Sequence, residues 1–216
     1  MTTAVPGRST SARPLTETTI RTFIPEKGYD EPTIDLLLNR RSVVARNQTE
    51  PGPSDEQLEI LLRCATRVPD HKKLAPWRIQ VLRGDARHRL GRRLAEIFRE
   101  RHPDATAEQL VTEAARPCRS PLLLVVSTKI ESTEVVPRIE QVTSGGALCQ
   151  NLLVAATALG FASQWLTEWP AYNDQVKQEL GIAPSDDILG FFYIGSSDQK
   201  PKDRVRPSLD DVVEHL

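Results

Sequence analysis

Two short polar stations follow apolar runs in this chain. The first is Asn39-Arg40-Arg41-Ser42, directly after Leu36-Leu37-Leu38. The second is Arg67-Val68-Pro69-Asp70-His71, followed shortly by Pro76-Trp77. Each ends a short helical pattern, so its side chains stand where a rigid element stops and a loop begins, a common place for binding residues. Arginine grips phosphate oxygens bidentately, and a seryl hydroxyl adds a neutral donor. Two arginines, a hydroxyl and a histidine are what a phosphorylated, planar cofactor needs. A structural reading competes: cations at a helix C-terminus answer its dipole, and a loop histidine can cap a neighbouring carbonyl.

Other chemistries lack their motifs. No GxGxxG follows a strand, and there is no P-loop, HExxH or GxSxG. The four histidines, His71, His88, His102 and His215, show no metal-ligand spacing with cysteine or carboxylate. Cys64, Cys118 and Cys149 form no CxxC and are odd in number, which points to reduced thiols; Cys64 and Cys149 fall in apolar helical patterns and read as small core residues. An enzyme built this way borrows its chemistry from a cofactor.

The totals set the frame. A chain of 216 residues with 39% hydrophobic residues, 26% charged residues and a net charge of −1 has ordinary globular composition. Near-neutrality gives no support to nucleic-acid binding. The longest apolar run, Leu152 to Phe161, is about half a membrane span. The N-terminus lacks the apolar core of a secretory signal. The expectation is therefore a cytoplasmic protein with no membrane and no nucleic-acid partner.

The elements that must position the stations can be read from pattern. Residues 1–30 form an expected flexible arm, and residues 31–216 the folded domain. A helix starts from Thr33 as N-cap and stops near Arg40-Arg41. Ser54 and Gln57 form a capping box, opening a helix that carries Leu58, Leu61, Leu62 and Ala65 on one stripe. Residues 78–82 alternate as a half-buried strand, and 85–101 form a basic amphipathic helix whose arginines read as a solvated face. Thr106 with Gln109 offers a second capping box. Residues 122–126 are continuously apolar, as in a strand covered on both faces. A long helix runs from about Arg138 to Leu159, and its Gly145-Gly146 predicts a close approach. Short elements follow: a strand at 162–166, a helix at 173–180 and a buried strand at 188–195. Strands and helices mix without a βαβ beat, so the class is α+β.

The stations, taken with Gly160-Phe161-Ala162-Ser163-Gln164-Trp165 and Gly190-Phe191-Phe192-Tyr193-Ile194-Gly195 in the same order, resemble the FMN-dependent nitroreductase family, above all its short single-domain branch. The resemblance covers roughly residues 31–208. It implies an α+β nitroreductase-like fold, with a central, mostly antiparallel sheet flanked by helices. It also implies a homodimer with FMN between the subunits and NAD(P)H as transient reductant. The implied reaction is ping-pong hydride transfer through the flavin to a nitroaromatic, a quinone or a similar small acceptor, with no protein nucleophile.

By the same resemblance, Arg40, Arg41 and Ser42 hold the FMN phosphate and ribityl chain. Arg67 and His71 reach the cofactor from the partner subunit. Ser163, Gln164 and Trp165 run along the isoalloxazine ring, and Lys202, Arg204 and Arg206 fall where cations meet the phosphate. The chain departs from the simplest pattern in its front extension and in Asp70-His71-Lys72-Lys73, which places it nearer the small branch. Three other readings stay open: flavin storage or sensing without turnover, a relative with other flavin chemistry such as dehalogenation or dehydrogenation, and a helical module whose helix 85–101 docks an acidic partner.

Overall fold

The computed structural model describes residues 30–216. The expected N-terminal arm lies outside those residues, apart from Asp30.

Four strands form one antiparallel sheet in the order β1-β2-β4-β3. They are β1 (Trp77–Leu82), β2 (Leu122–Thr128), β3 (Ala162–Leu166) and β4 (Ile188–Gly195). Strand β2 is buried along its whole length, and its side chains alternate between two cores. Leu122, Leu124 and Val126 join Phe192 and Ile194 on one face, covered by Leu61 and Ala65 of α2 (Asp55–Ala65) and Leu148, Leu152 and Ala156 of α5 (Arg138–Ala158). Leu123 and Val125 join Phe191 and Tyr193 on the other, covered by Leu90, Leu94 and Ile97 of α3 (Asp85–Arg101) and by Val176 of α6 (Asp174–Glu179). The expected antiparallel α+β architecture, a sheet between helical layers, is the one observed.

Local signals set most boundaries. The Ser54 and Thr106 side chains each accept a backbone N–H three residues on, and Gln57 and Gln109 reach back, so both expected capping boxes form. The second opens α4 (Ala107–Ala115). Helix α5 ends before Gly160, and a side chain at Gly145 would put its Cβ 2.5 Å from Leu189, which is the close approach the sequence pointed to; Gly146 has open space instead.

Two expectations are corrected. Helix α1 spans Glu31–Asn39 with Asp30 at its N-cap, and Thr33 lies inside the helix, where its hydroxyl donates to the Asp30 carboxylate. Cys64 is exposed rather than core, because the buried stripe of α2 falls on Leu61 and Ala65, about 60–100° around the helix from it. Cys149 is fully buried, and burial pushes its thiol up to about 12. Helix α1 itself has no buried residue. No helix among the described residues is long and apolar enough to cross a membrane.

Candidate functional site

Chain leaving α1 is tied to the edge of the sheet. Arg40 closes the helix by donating its N–H to Leu36 O. Val43 N–H then donates to Ser163 O of β3 (3.1 Å), and Ala45 N–H donates to the Gln164 side-chain oxygen (2.6 Å). Gln48, itself buried, donates to Val43 O at 2.9 Å, and Thr49 bridges Ser196 at the end of β4. Arg40, Arg41 and Ser42 are thereby held against β3 by backbone bonds on a rigid scaffold.

The result is a cleft of about 490 Å³ lined by Arg40, Arg41, Val43, Phe161, Gln199 and Lys200, among others. Arg40 is the anomaly in it. One terminal nitrogen, Nη1, is buried and has no hydrogen-bond partner among the described residues. Burial, and then the charges of Arg41 and Arg206, lower its pKa below the usual guanidinium value. A guanidinium nevertheless stays charged in proteins, so three cations crowd one corner, and the buried donor of one of them is unpaired among the described residues. Buried polar groups are nearly always paired. This corner calls for an anion.

The tail supplies partial compensation. Arg41 Nε donates to Lys202 O (3.3 Å) and lies 3.6 Å from the Asp203 carboxylate, which is also 3.6 Å from Arg206. Lys202 thus meets the station through its backbone. Its side chain and that of Arg204 are exposed. On β3, Ser163 is buried, and its hydroxyl is unpartnered among the described residues. Gln164 commits its oxygen to Ala45, and Trp165 donates to Leu189 O (2.8 Å) while stacking on Phe192. Trp165 is therefore a packed wall beside the cleft's edge strand.

The second station is pinned separately along α5. Asn151 donates to the carbonyls of Cys64 and Arg67, Ser144 donates to Pro69 O, and the Trp77 indole donates to Ser144. His71 Nδ1 sits 2.7 Å from a Glu140 carboxylate oxygen, and Arg67 is exposed. The station extends along the helix from Asn151 to Glu140. Thr157 of the same helix lines the Arg40 cleft. At about 1.5 Å of rise per residue, Glu140 and Thr157 are about 25 Å apart along the axis. The structure therefore brings Arg40, Arg41, Ser42 and β3 together, and leaves His71 at a distance within the chain.

The family model for nitroreductases matches residues 37–196, a span that holds both stations, β3 and β4. The chain belongs to the nitroreductase family. It is 36% identical over 173 residues to an Escherichia coli protein named "Putative NAD(P)H nitroreductase YdjA", a match that covers 77% of this chain and 89% of that one. A nitroreductase-like family protein from Bacillus cereus shares the fold at a TM-score of 0.75, 23% identity and coverage of 92% of this chain and 99% of the other. A nitroreductase with bound FMN from Bacteroides fragilis does so at 0.63, with 16% identity and coverage of 87% and 100%.

Beyond the residues expected from the sequence of this nitroreductase-family chain, Gln199 and Lys200 line the cleft, Asn151 and Glu140 stand behind the second station, and Asp203 lies between two guanidiniums. Of these, Lys200 has a sequence signal, since it is a cation close to Lys202, Arg204 and Arg206. Among the described residues no group of three or more His, Cys, Asp or Glu could hold a metal ion.

Proposed function

We propose that this chain is an FMN-dependent NAD(P)H oxidoreductase that works as a homodimer in the cytoplasm, passing hydride from a nicotinamide to a small oxidised acceptor such as a nitroaromatic or a quinone. The observation that carries the reading is the buried, unpartnered Arg40 Nη1 in a cleft that also holds Arg41 and Lys200. That donor set fits a phosphate monoester. Arg40 and Arg41 grip it, Ser42 donates to the adjoining polar chain, and Lys202, Arg204 and Arg206 lend positive charge from the tail. Ser163, Gln164 and Trp165 flank the ring. FMN, when bound, supplies the hydride-accepting ring, so the protein needs no nucleophile.

The chain's own residues bind, orient and shield. Trp165, fixed by Leu189 O and Phe192, gives the ring a rigid neighbour. Reductant and oxidant use one face in turn, so orientation supplies what a bimolecular transfer otherwise lacks. Arg67 and His71 serve the cleft of a second copy, which accounts for their separation from Arg40 within one protomer. The free cysteines among the described residues suit a reducing compartment.

Subunit complementation tests this. Arg40→Met and His71→Ala homodimers should each bind FMN weakly. Co-expressed, they form a mixed dimer in which one site has both faults and the other has none. The mixed dimer should regain close to one FMN per dimer, with its absorbance bleached by NAD(P)H. No regain, or a colourless wild-type protein that ignores added FMN, refutes the reading.

A further inference from the structure

The loop after His71 carries cations that the flavin site does not use. Lys72 and Lys73 have φ of 61° and 56°, and Ala75 follows at 48°. These are left-handed conformations that residues other than glycine rarely adopt. The surroundings impose them. The Asp70 carboxylate accepts from Leu74 N–H (3.0 Å) and Ala75 N–H (2.9 Å), Pro69 O is held by Ser144, and Pro76 O accepts from Lys129 N–H. Such over-determined backbone clusters at ligand clamps.

Both lysines are exposed. Among the described residues neither has a carboxylate within 4 Å, and Asp70, the nearest acid in sequence, is taken up by its two backbone bonds. His71 beside them is engaged by Glu140. The loop thus presents two free ammonium groups, on a backbone held away from its relaxed form, next to the histidine assigned to the partner's flavin.

We propose that Lys72 and Lys73 form a recognition site for a phosphate group of the nicotinamide dinucleotide. The proposal rests on the functional reading above, which places this loop at the site the reductant visits. An ammonium on a flexible stem suits a mobile, transient phosphate, whereas the guanidiniums of the Arg40 cleft suit a resident one. Two phosphates on the dinucleotide fit the chemistry: the 2′-phosphate found only in NADPH, and the pyrophosphate shared with NADH.

The test uses FMN-loaded enzyme and the double variant K72N/K73N, since asparagine tolerates left-handed backbone. Flavin content and melting temperature are checked first. The expected result is a KM for NADPH raised about tenfold with kcat unchanged, from two lost exposed charge contacts. A rise for NADPH alone assigns the 2′-phosphate; an equal rise for NADH assigns the pyrophosphate. K72R/K73R should restore the KM. A mutation-free check is salt: KM for the recognised nucleotide should climb with ionic strength. Loaded enzyme whose KM moves with neither mutation nor salt overturns this inference alone. Protein that takes up no FMN overturns the functional reading along with it.

Discussion

Replacing Arg40 with methionine should move two quantities in opposite directions. Arg40 Nη1 is buried and unpartnered among the described residues, and Arg41 and Arg206 repel its charge. An unsatisfied buried donor costs about 1–3 kcal/mol. Methionine keeps an unbranched stem and removes the polar atoms. Flavin-stripped Arg40→Met protein should therefore be more stable than wild type by about 1–2 kcal/mol, or roughly 2–8 °C in melting temperature for a domain of this size. FMN affinity should fall. A charge-assisted hydrogen bond contributes about 1.5–3 kcal/mol, and losing about 3 kcal/mol weakens Kd by about 150-fold. Thermal melts of stripped protein and quenching of flavin fluorescence measure the two. General damage to the fold lowers both together. A stripped variant that melts earlier while its FMN Kd stays put would refute the assignment of Arg40 to the phosphate.

Three further outcomes are expected. Glu113, nearly buried, meets Arg116 and the Trp169 indole at 2.8 Å each, while Glu168 bridges Arg116 (2.7 Å) and Arg119 (2.9 Å); Glu113→Gln strips charge from this cluster and should cost about 2–4 kcal/mol in urea unfolding. Burial alone would raise the Glu113 carboxyl, but the hydrogen bonds from Arg116 and Trp169 outweigh it and hold it low. Its contribution is therefore complete above the unfolded carboxyl pKa of about 4.3 and is lost as pH falls through the lower folded value, so the wild-type advantage over Glu113→Gln should shrink with acid. Gly190→Ala puts a Cβ 2.0 Å from the Trp165 indole nitrogen; it should destabilise by about 2 kcal/mol or more and lower flavin retention, read by melting and by bound absorbance. Cys64 should react with an aromatic disulfide reagent in the native state, and Cys149, its thiol pushed up to about 12, only on unfolding.

What the sequence made legible was local or periodic. Both capping boxes sit within four residues, and the unbroken apolar run 122–126 can only be a strand with two covered faces. Asp30 is the N-cap instead of Thr33 because Ile34 N–H already donates to Asp30 O, which starts the helix one turn earlier. Cys64 was misread because an apolar neighbourhood in sequence does not fix the angle around a helix. The Glu113–Arg116–Glu168–Arg119 cluster joins segments about fifty residues apart, and only the packing of α4 against the turn after β3 creates it. Gln164 stood out as a residue of the site, yet nothing local shows that its oxygen would cap Ala45 and so fix the station after Arg40.

Helix α1 and the two stations pose one problem together. A nine-residue helix with no buried side chain is not stable by itself in water. Its Ile34, Leu37 and Leu38 are 45%, 53% and 71% exposed, and Val205, Leu209 and Val212 of the tail are exposed as well. Arg40 caps the end of α1 and Arg41 meets the tail at Lys202 O, so the two guanidiniums proposed to grip the phosphate adjoin these exposed segments. Among the described residues, one copy leaves these apolar side chains exposed, with its own His71 about 25 Å along α5 from its own Arg40 cleft. A second copy resolves both under the proposed function: its surface covers α1 and the tail, and its own Arg67 and His71 complete the cleft. Cofactor binding and association then stabilise each other by mass action. The complementation experiment with Arg40→Met and His71→Ala subunits therefore probes the architecture as much as the cofactor.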